Sequence, residues 1–399
     1  VMRSLRAFAL PGIDMLADRR EYTTAKQAAS VAHQYGREGV MSELYGVTDW
    51  DFDFRGHKLQ GDWQAALGVT VRVPHLSWVS MEGEAKRDYP ASINYQSPWY
   101  PKYRYVEDHF ARVNTAMTRG TPAIRVGVIH PVESCWIHWG PAEQTALARE
   151  ELDTNFENVT EWLLFGSVDF DYISESLLPS LCECGGAPLE VGNMKYDVII
   201  VPGCETVRAS TCERLDAFRR AGGKLIFMGD APKYLDARPS DIPAKLWAEA
   251  EHISFTRGAL LGALEGYRNV DIRQANGELT GSLVHQLRRD GDGLWLFVAQ
   301  GKLPYNKDIS RKQKIKITVK GIYRATLYDT LGGKIKPCRF SHSGDTTVIP
   351  AELWQHHSLL IRLDPCDTEE TWSPAAAQKT VSARLALDGV TDAIVTAAD

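Results

Sequence analysis

Short apolar runs alternate with longer amphipathic stretches through the first 120 residues. Residues 5–10 (LRAFAL), 40–44 (VMSEL) and 69–73 (VTVRV) read as strands, and residues 23–36 and 54–67 between them read as helices. Thr23 or Thr24 serves as N-cap of the first helix, and Gly36 and Gly68 close the two helices. Strand, helix and strand at this spacing make right-handed βαβ units with parallel strands. In such units the residues at the carboxyl ends of the strands are the ones placed for chemistry. Asp14 follows the first run, Glu43 interrupts the second with Tyr45 beside it, and His75 and Trp78 follow the third. Asp62 and Trp63 lie on a helix and read as structural.

Residues 82–105 form a long polar and aromatic loop that holds Arg87, Asp88, Asn94, Gln96 and Trp99, with three tyrosines close behind. A loop of this length in a compact domain is usually functional or disordered, and its aromatic content argues against disorder. Flat rings cover apolar C–H faces and amides read hydroxyls, so the loop is a candidate binding element. Packing of the rim is the competing reading. A helix over 106–119 ends the first unit. From 121 to 235 strands expected at 124–129, 170–173, 197–201 and 224–228 alternate with helices at 151–165 and 211–221. This is the pattern of a doubly wound, flavodoxin-like or amidotransferase-like parallel sheet. Residues 236–269 read as a helical connector. Residues 270–365 change to short alternating strands with turns at Asp290–Gly291, Asp292–Gly293 and Gly332–Gly333, as in an antiparallel β-sandwich. Residues 366–399 read as a linker and the opening of another β module. The fold class expected is α/β: the C-terminal part of a (β/α)8 barrel, then a flavodoxin-like domain, then a small β-sandwich.

Composition narrows the function. The 399 residues are enough for two to four domains. A formal net charge of −6 with no basic run argues against a nucleic-acid partner. No apolar stretch approaches the length of a membrane span. Seven sparsely spaced cysteines suit a reducing compartment, and a cytoplasmic location is favoured. Cys182 and Cys184 have no second pair to complete a zinc site. Cys204, in PGCET after a strand, lacks the following glycine and the immediate helix of an amidotransferase nucleophile turn, so an inert thiol is expected. No GxGxxG follows residue 129 to hold a dinucleotide.

SELYG, GDWQAALGV and HLSW resemble the last strands of the (β/α)8 barrel in large bacterial glycoside hydrolases. Family 42 β-galactosidases and the family 106 α-L-rhamnosidase group are the relatives suggested. In clan-A enzymes strand 7 ends in the nucleophilic glutamate and strand 8 often ends in a tryptophan beneath the sugar. The resemblance therefore implies Glu43 as nucleophile or general base and Trp78 as stacking platform, with Asp14 ending strand 6. It leaves no counterpart here for strands 1 to 5, including the one that carries the general acid. A glutamate within an apolar strand is costly unless it is paired or functional, which points to Glu43 independently. The alternative is a buried glutamate satisfied by Arg or His. The substrate-binding set implied is Asp14, Tyr45, His75, Trp78, Arg87, Asp88, Asn94, Gln96 and Trp99, acting on a terminal sugar.

The two families differ on mechanism. Family 42 implies retention through an ester on Glu43, and no cofactor. The rhamnosidase group implies inversion, with Glu43 activating water and a bound calcium assisting. The chain begins at Val1 inside an apolar run, and the expectation is a piece of a longer enzyme. Half a barrel exposes strand edges, so a complementing chain or a homo-oligomer is expected as partner besides the carbohydrate. A non-catalytic binding or assembly subunit is the alternative.

Overall fold

The structure, a computed structural model, describes residues 1–84, 92–306, 308–309 and 311–366. Arg87, Asp88 and residues 367–399 lie outside the described residues.

Three parallel strands in the order β1 (Gly12–Met15), β2 (Val40–Leu44) and β3 (Val69–Pro74) form the first sheet. Helices α1 (Met2–Leu5), α2 (Tyr22–Gln34), α3 (Phe54–Ala66) and α4 (Arg104–Met117) belong to the same unit. The run 5–10 is not the first strand: its start closes α1, and Phe8 and Leu10 stay exposed. The ladder starts only after Pro11, whose carbonyl accepts from the Met41 amide at 2.9 Å. Proline has no amide hydrogen of its own to extend the ladder backwards. Asp14 therefore stands inside β1, not beyond it. No threonine side chain caps α2, which starts at Tyr22 after Glu21. Asp53 caps α3, accepting from the amides of Arg55 at 2.9 Å and Gly56 at 3.2 Å.

A five-stranded parallel sheet follows, ordered Glu251–Ile253, Lys224–Met228, Val198–Pro202, Val126–Ile129, Phe170–Ile173. The stretch 236–269 is thus more than a helical connector. Between the helices Ile242–Glu249 and Arg257–Ala263 it supplies an edge strand of this sheet, too short and too exposed to show a period-2 pattern. The helix expected at 151–165 is the long Ala142–Leu164, whose first half is largely exposed and carries no apolar stripe. Helix α2 docks on this sheet through polar groups. Lys26 Nζ donates to Asp169 Oδ1 at 2.8 Å, His33 Nδ1 lies 2.8 Å from Asp171 Oδ1, and Gln34 Nε2 donates to the Tyr172 carbonyl at 2.8 Å.

Two antiparallel sheets of four and six strands close over an apolar cluster that includes Ile272, Leu296, Ile317, Ile349 and Ile361. Thr121–Pro122 pairs into the six-stranded sheet. A larger cluster runs through all three units, from Met15 and Trp63 through Tyr172 to Phe297. Helix α3 lies between the first sheet and the Gly293–Gln300 strand, which explains why residues 57–66 are all buried and the strand is buried on both faces.

The parallel sheet holds a buried acid at the carboxyl end of the Phe170–Ile173 strand. Burial pushes Glu175 up to about 7, although the Arg208 amide donates to its carboxylate at 2.8 Å. Because the folded value is raised, the folded protein keeps a proton that the unfolded chain has already lost. Stability therefore falls as pH rises from the unfolded value of 4.5 toward 7. Glu175→Gln should raise stability by about 2–3 kcal/mol at pH 8 and change nothing at pH 4, read as apparent Tm.

Candidate functional site

Parallel register sets the geometry. Asp14 pairs with Glu43, and Glu43 with Val73, so the three side chains project from one face of adjacent strands. Ile13, Met15, Val40, Ser42 and Leu44 fill the opposite, buried face. The face that carries Asp14 and Glu43 is open: Glu43 is 42% exposed, and Val71 and Val73 are 39% and 40% exposed. The His75 amide continues the ladder to the Leu44 carbonyl at 2.8 Å, which sends its ring to the Glu43 side. His75 Nε2 lies 3.6 Å from Glu43 Oε1. Gly46 permits this approach, because a Cβ there would sit 3.1 Å from the imidazole. Two acids and an imidazole thus share one solvent-open surface at the carboxyl ends of parallel strands. Such a set can hold hydroxyls, move a proton and present a carboxylate.

The loop beyond β3 is hooked back by its own polar groups. Gln96 Nε2 donates to the Trp78 carbonyl at 2.6 Å, and Tyr95 Oη donates to the Val79 carbonyl at 2.6 Å. Gln96 therefore braces the Trp78 backbone. Asn94 Oδ1 accepts from the Tyr95 amide at 2.8 Å, a local turn contact. The half-buried Trp99 has a buried indole N–H with no hydrogen-bond partner.

Tyr45, expected among the ligand-binding residues, does not reach the open face. It is fully buried, packed with Leu44, Phe52 and His57, and its hydroxyl accepts from Arg72 at 3.1 Å. A φ of +72° at Tyr45 turns the ring away from the open face. Burial pushes the phenol up to about 12. Tyr45 braces the loop and does not meet a ligand on the open face. Arg72 also donates to Glu107 Oε2 at 2.9 Å, a role that strand alternation only hints at through its inward direction.

Among the described residues no group of three or more His, Cys, Asp or Glu side chains could hold a metal ion. Burial beside Glu175 and Glu133 pushes the Cys204 thiol well above its usual range, leaving it neutral and a poor nucleophile. No helix among the described residues is long and apolar enough to cross a membrane.

No family model matches the chain, and no curated protein matches it. Solved structures do. A rhamnosidase from Novosphingobium sp. PP1Y is similar over 94% of this chain and 36% of its own, at 18% identity and a TM-score of 0.70. A GH42 β-galactosidase from G. stearothermophilus is similar over 91% of this chain and 60% of its own, at 10% identity and a TM-score of 0.57. An α-L-fucosidase isoenzyme 2 from Paenibacillus thiaminolyticus follows, at 11% identity over 87% and 63%, with a TM-score of 0.54. The chain spans about a third of the rhamnosidase's length and about three-fifths of the other two. At these identities the likeness is one of fold: this mixed α/β chain shares its architecture with portions of glycoside hydrolases.

Proposed function

We propose that this chain is part of a glycoside hydrolase that removes a terminal sugar, with Glu43 as nucleophile or general base. The observation that carries the reading is the in-register pair Asp14 and Glu43, with His75 3.6 Å from Glu43, on an open face at the carboxyl ends of parallel strands. In this reading β1, β2 and β3 are the last strands of a (β/α)8 barrel, followed by a flavodoxin-like domain and a β-sandwich. Asp14 accepts from a sugar hydroxyl, and Trp78, braced by Gln96, lies under the ring. Glycoside hydrolysis needs a second carboxyl group to protonate the leaving oxygen. Further barrel strands would cover Val71 and Val73 and bring that acid, supplied by a complementing chain or a second copy. The cover matters for stability too, because an open sheet edge invites pairing with another chain. The exposed valines also favour a second reading, a binding or assembly piece without activity of its own.

The fold likeness to the rhamnosidase, the higher of the three in TM-score, supports an α-L-rhamnoside as substrate ahead of a β-galactoside. Glu43 then either attacks the anomeric carbon or deprotonates the water that does. A 2-deoxy-2-fluoro glycosyl fluoride separates these roles. A sugar adduct mapped to the Glu43 peptide marks a retaining nucleophile. Turnover without adduct and with inverted anomeric configuration marks a general base. An adduct on another carboxylate would remove Glu43 from the mechanism.

A further inference from the structure

A cleft of about 470 Å³ opens between the loops that leave β1 and β2 and the 303–305 loop of the antiparallel unit. Asp18, Thr48, Asp51, Leu59, Leu303 and Tyr305 line it. Its chemistry is lopsided. Asp53, also in the wall, is already used by the α3 amides and by Arg55. Asp18 Oδ1 is buried and accepts no hydrogen bond, with the Arg20 guanidinium 3.4 Å away as an ion-pair partner only. Asp51 adds a further acceptor, whereas the Tyr305 ring is fully exposed beside Leu303 and Pro304. A ligand that fits must supply hydroxyl donors to the carboxylates and an apolar C–H face to the phenol ring. Asp53 in the wall is paired with Arg55, so Asp18 and Asp51 leave the lining with an acidic excess that disfavours an anion, and no cluster able to hold a metal exists among the described residues.

We propose that this cleft is a second saccharide-binding site, for a neutral sugar unit distinct from the one held over Glu43. One loop joins the two places. Gly46 lies against the His75 ring, while Val47 and Thr48, the next two residues, form the cleft wall. The Ala17 amide donates to the Gly46 carbonyl at 2.9 Å and ties the β1 exit to the same loop. Ala17, Asp18, Tyr45, Val47 and Asp49 all have positive φ, between +48° and +72°. A β-branched residue such as Val47 rarely accepts that region, so the loop shape is held by its surroundings. Burial pushes the Asp18 carboxyl up to about 6, which suits a group that exchanges hydrogen bonds with neutral hydroxyls. The sugar identity of the ligand rests on the glycosidase reading above, and the substrate it implies has at least two sugar units or a glycosylated aglycone.

The test is binding by calorimetry to the Glu43→Gln protein, in which hydrolysis is blocked. The probes are a disaccharide ending in rhamnose, one ending in galactose, and a uronate-bearing counterpart of each. Tyr305→Ala and Asp18→Asn, added singly, should each weaken the better neutral disaccharide about tenfold. The uronates should bind less tightly. Tyr305 is wholly exposed, so its loss cannot unfold the chain. Unchanged disaccharide affinity in both variants overturns the site, as does tighter binding of the uronates or no saccharide binding at all. Failure of the glycosidase reading shows elsewhere, as hydrolysis indifferent to Glu43→Gln.

Discussion

Glu43→Gln is expected to lower kcat for glycoside hydrolysis about 10²–10⁴-fold, the range for removing a positioned acid–base group. The substitution keeps the shape of the side chain and removes only the carboxylate's charge and basicity. Glu43 is 42% exposed on an open face, so little desolvation energy is at stake and the fold should not change. Apparent Tm should stay within about a degree, because surface substitutions usually stay within about 0.5 kcal/mol. KM should move little, since sugar hydroxyls are held by Asp14 and the ring by Trp78 in this reading. A glutamate that served only to pair with His75 would give the opposite pattern, an unchanged kcat. Steady-state kinetics on wild type and variant, with circular dichroism melts of both, read all three quantities.

The largest stability effect should come from Asp62→Ala, which is expected to cost about 3–5 kcal/mol, the penalty for leaving a buried charge without its partner. Asp62 is 1% exposed and sits at the junction of α3, α4 and the antiparallel unit. Its carboxylate pairs with Lys58 through Oδ2, and Oδ1 lies 2.7 Å from His109 Nε2. His109 Nδ1 is 2.8 Å from Thr330 Oγ1, and Lys58 Nζ donates to Ser358 Oγ at 2.9 Å. Burial lowers His109 and favours its neutral form. A neutral ring with its proton on Nε2 satisfies both contacts, donating to Asp62 and accepting from Thr330. For Asp62 itself burial pushes upward, but Lys58 and His109 together more than offset it and hold the carboxyl at about 2. The folded value lies below the unfolded 3.8, so this stabilisation is complete above about pH 5 and is lost as pH falls through 4 toward 2. Wild type should therefore lose apparent Tm between pH 5 and 3 more steeply than Asp62→Ala. Combining Asp62→Ala with Lys58→Met should cost less than the two singles added, since the pair shares one interaction.

Much of the framework was legible because strands buried on one or both faces carry their own pattern. VMSEL, FDYI and KLIFM fall where apolar runs predict them, at Val40–Leu44, Phe170–Ile173 and Lys224–Met228. Glu43 is a charge inside such a run, yet it lies on the open face at 42% exposure, so the burial cost that singles it out in sequence does not apply, and parallel register brings Asp14 beside it. Other features depend on information that composition does not hold. The apolar run at 5–10 misled because apolar content alone does not separate a helical turn from a strand, and Pro11 delays the ladder. Tyr45 sits next to Glu43 in sequence, but one positive φ sends its ring into the core. The strand Glu251–Ile253 owes its conformation to pairing with Lys224–Met228, not to its own residues. The cleft at Asp18 and Tyr305 joins residues far apart in the chain, so only tertiary packing reveals it.

Hydrolysis of p-nitrophenyl glycosides by the wild-type protein decides whether Glu43 serves a glycosidase, with α-L-rhamnoside, β-galactoside, α-L-fucoside and β-glucoside compared side by side. Turnover of one sugar, the rhamnoside first, is expected, lowered about 10²–10⁴-fold in Glu43→Gln and accompanied by self-association or a co-purifying chain. Turnover that survives Glu43→Gln undiminished, or a monodisperse monomer that binds and cleaves none of the four, would contradict the glycosidase reading.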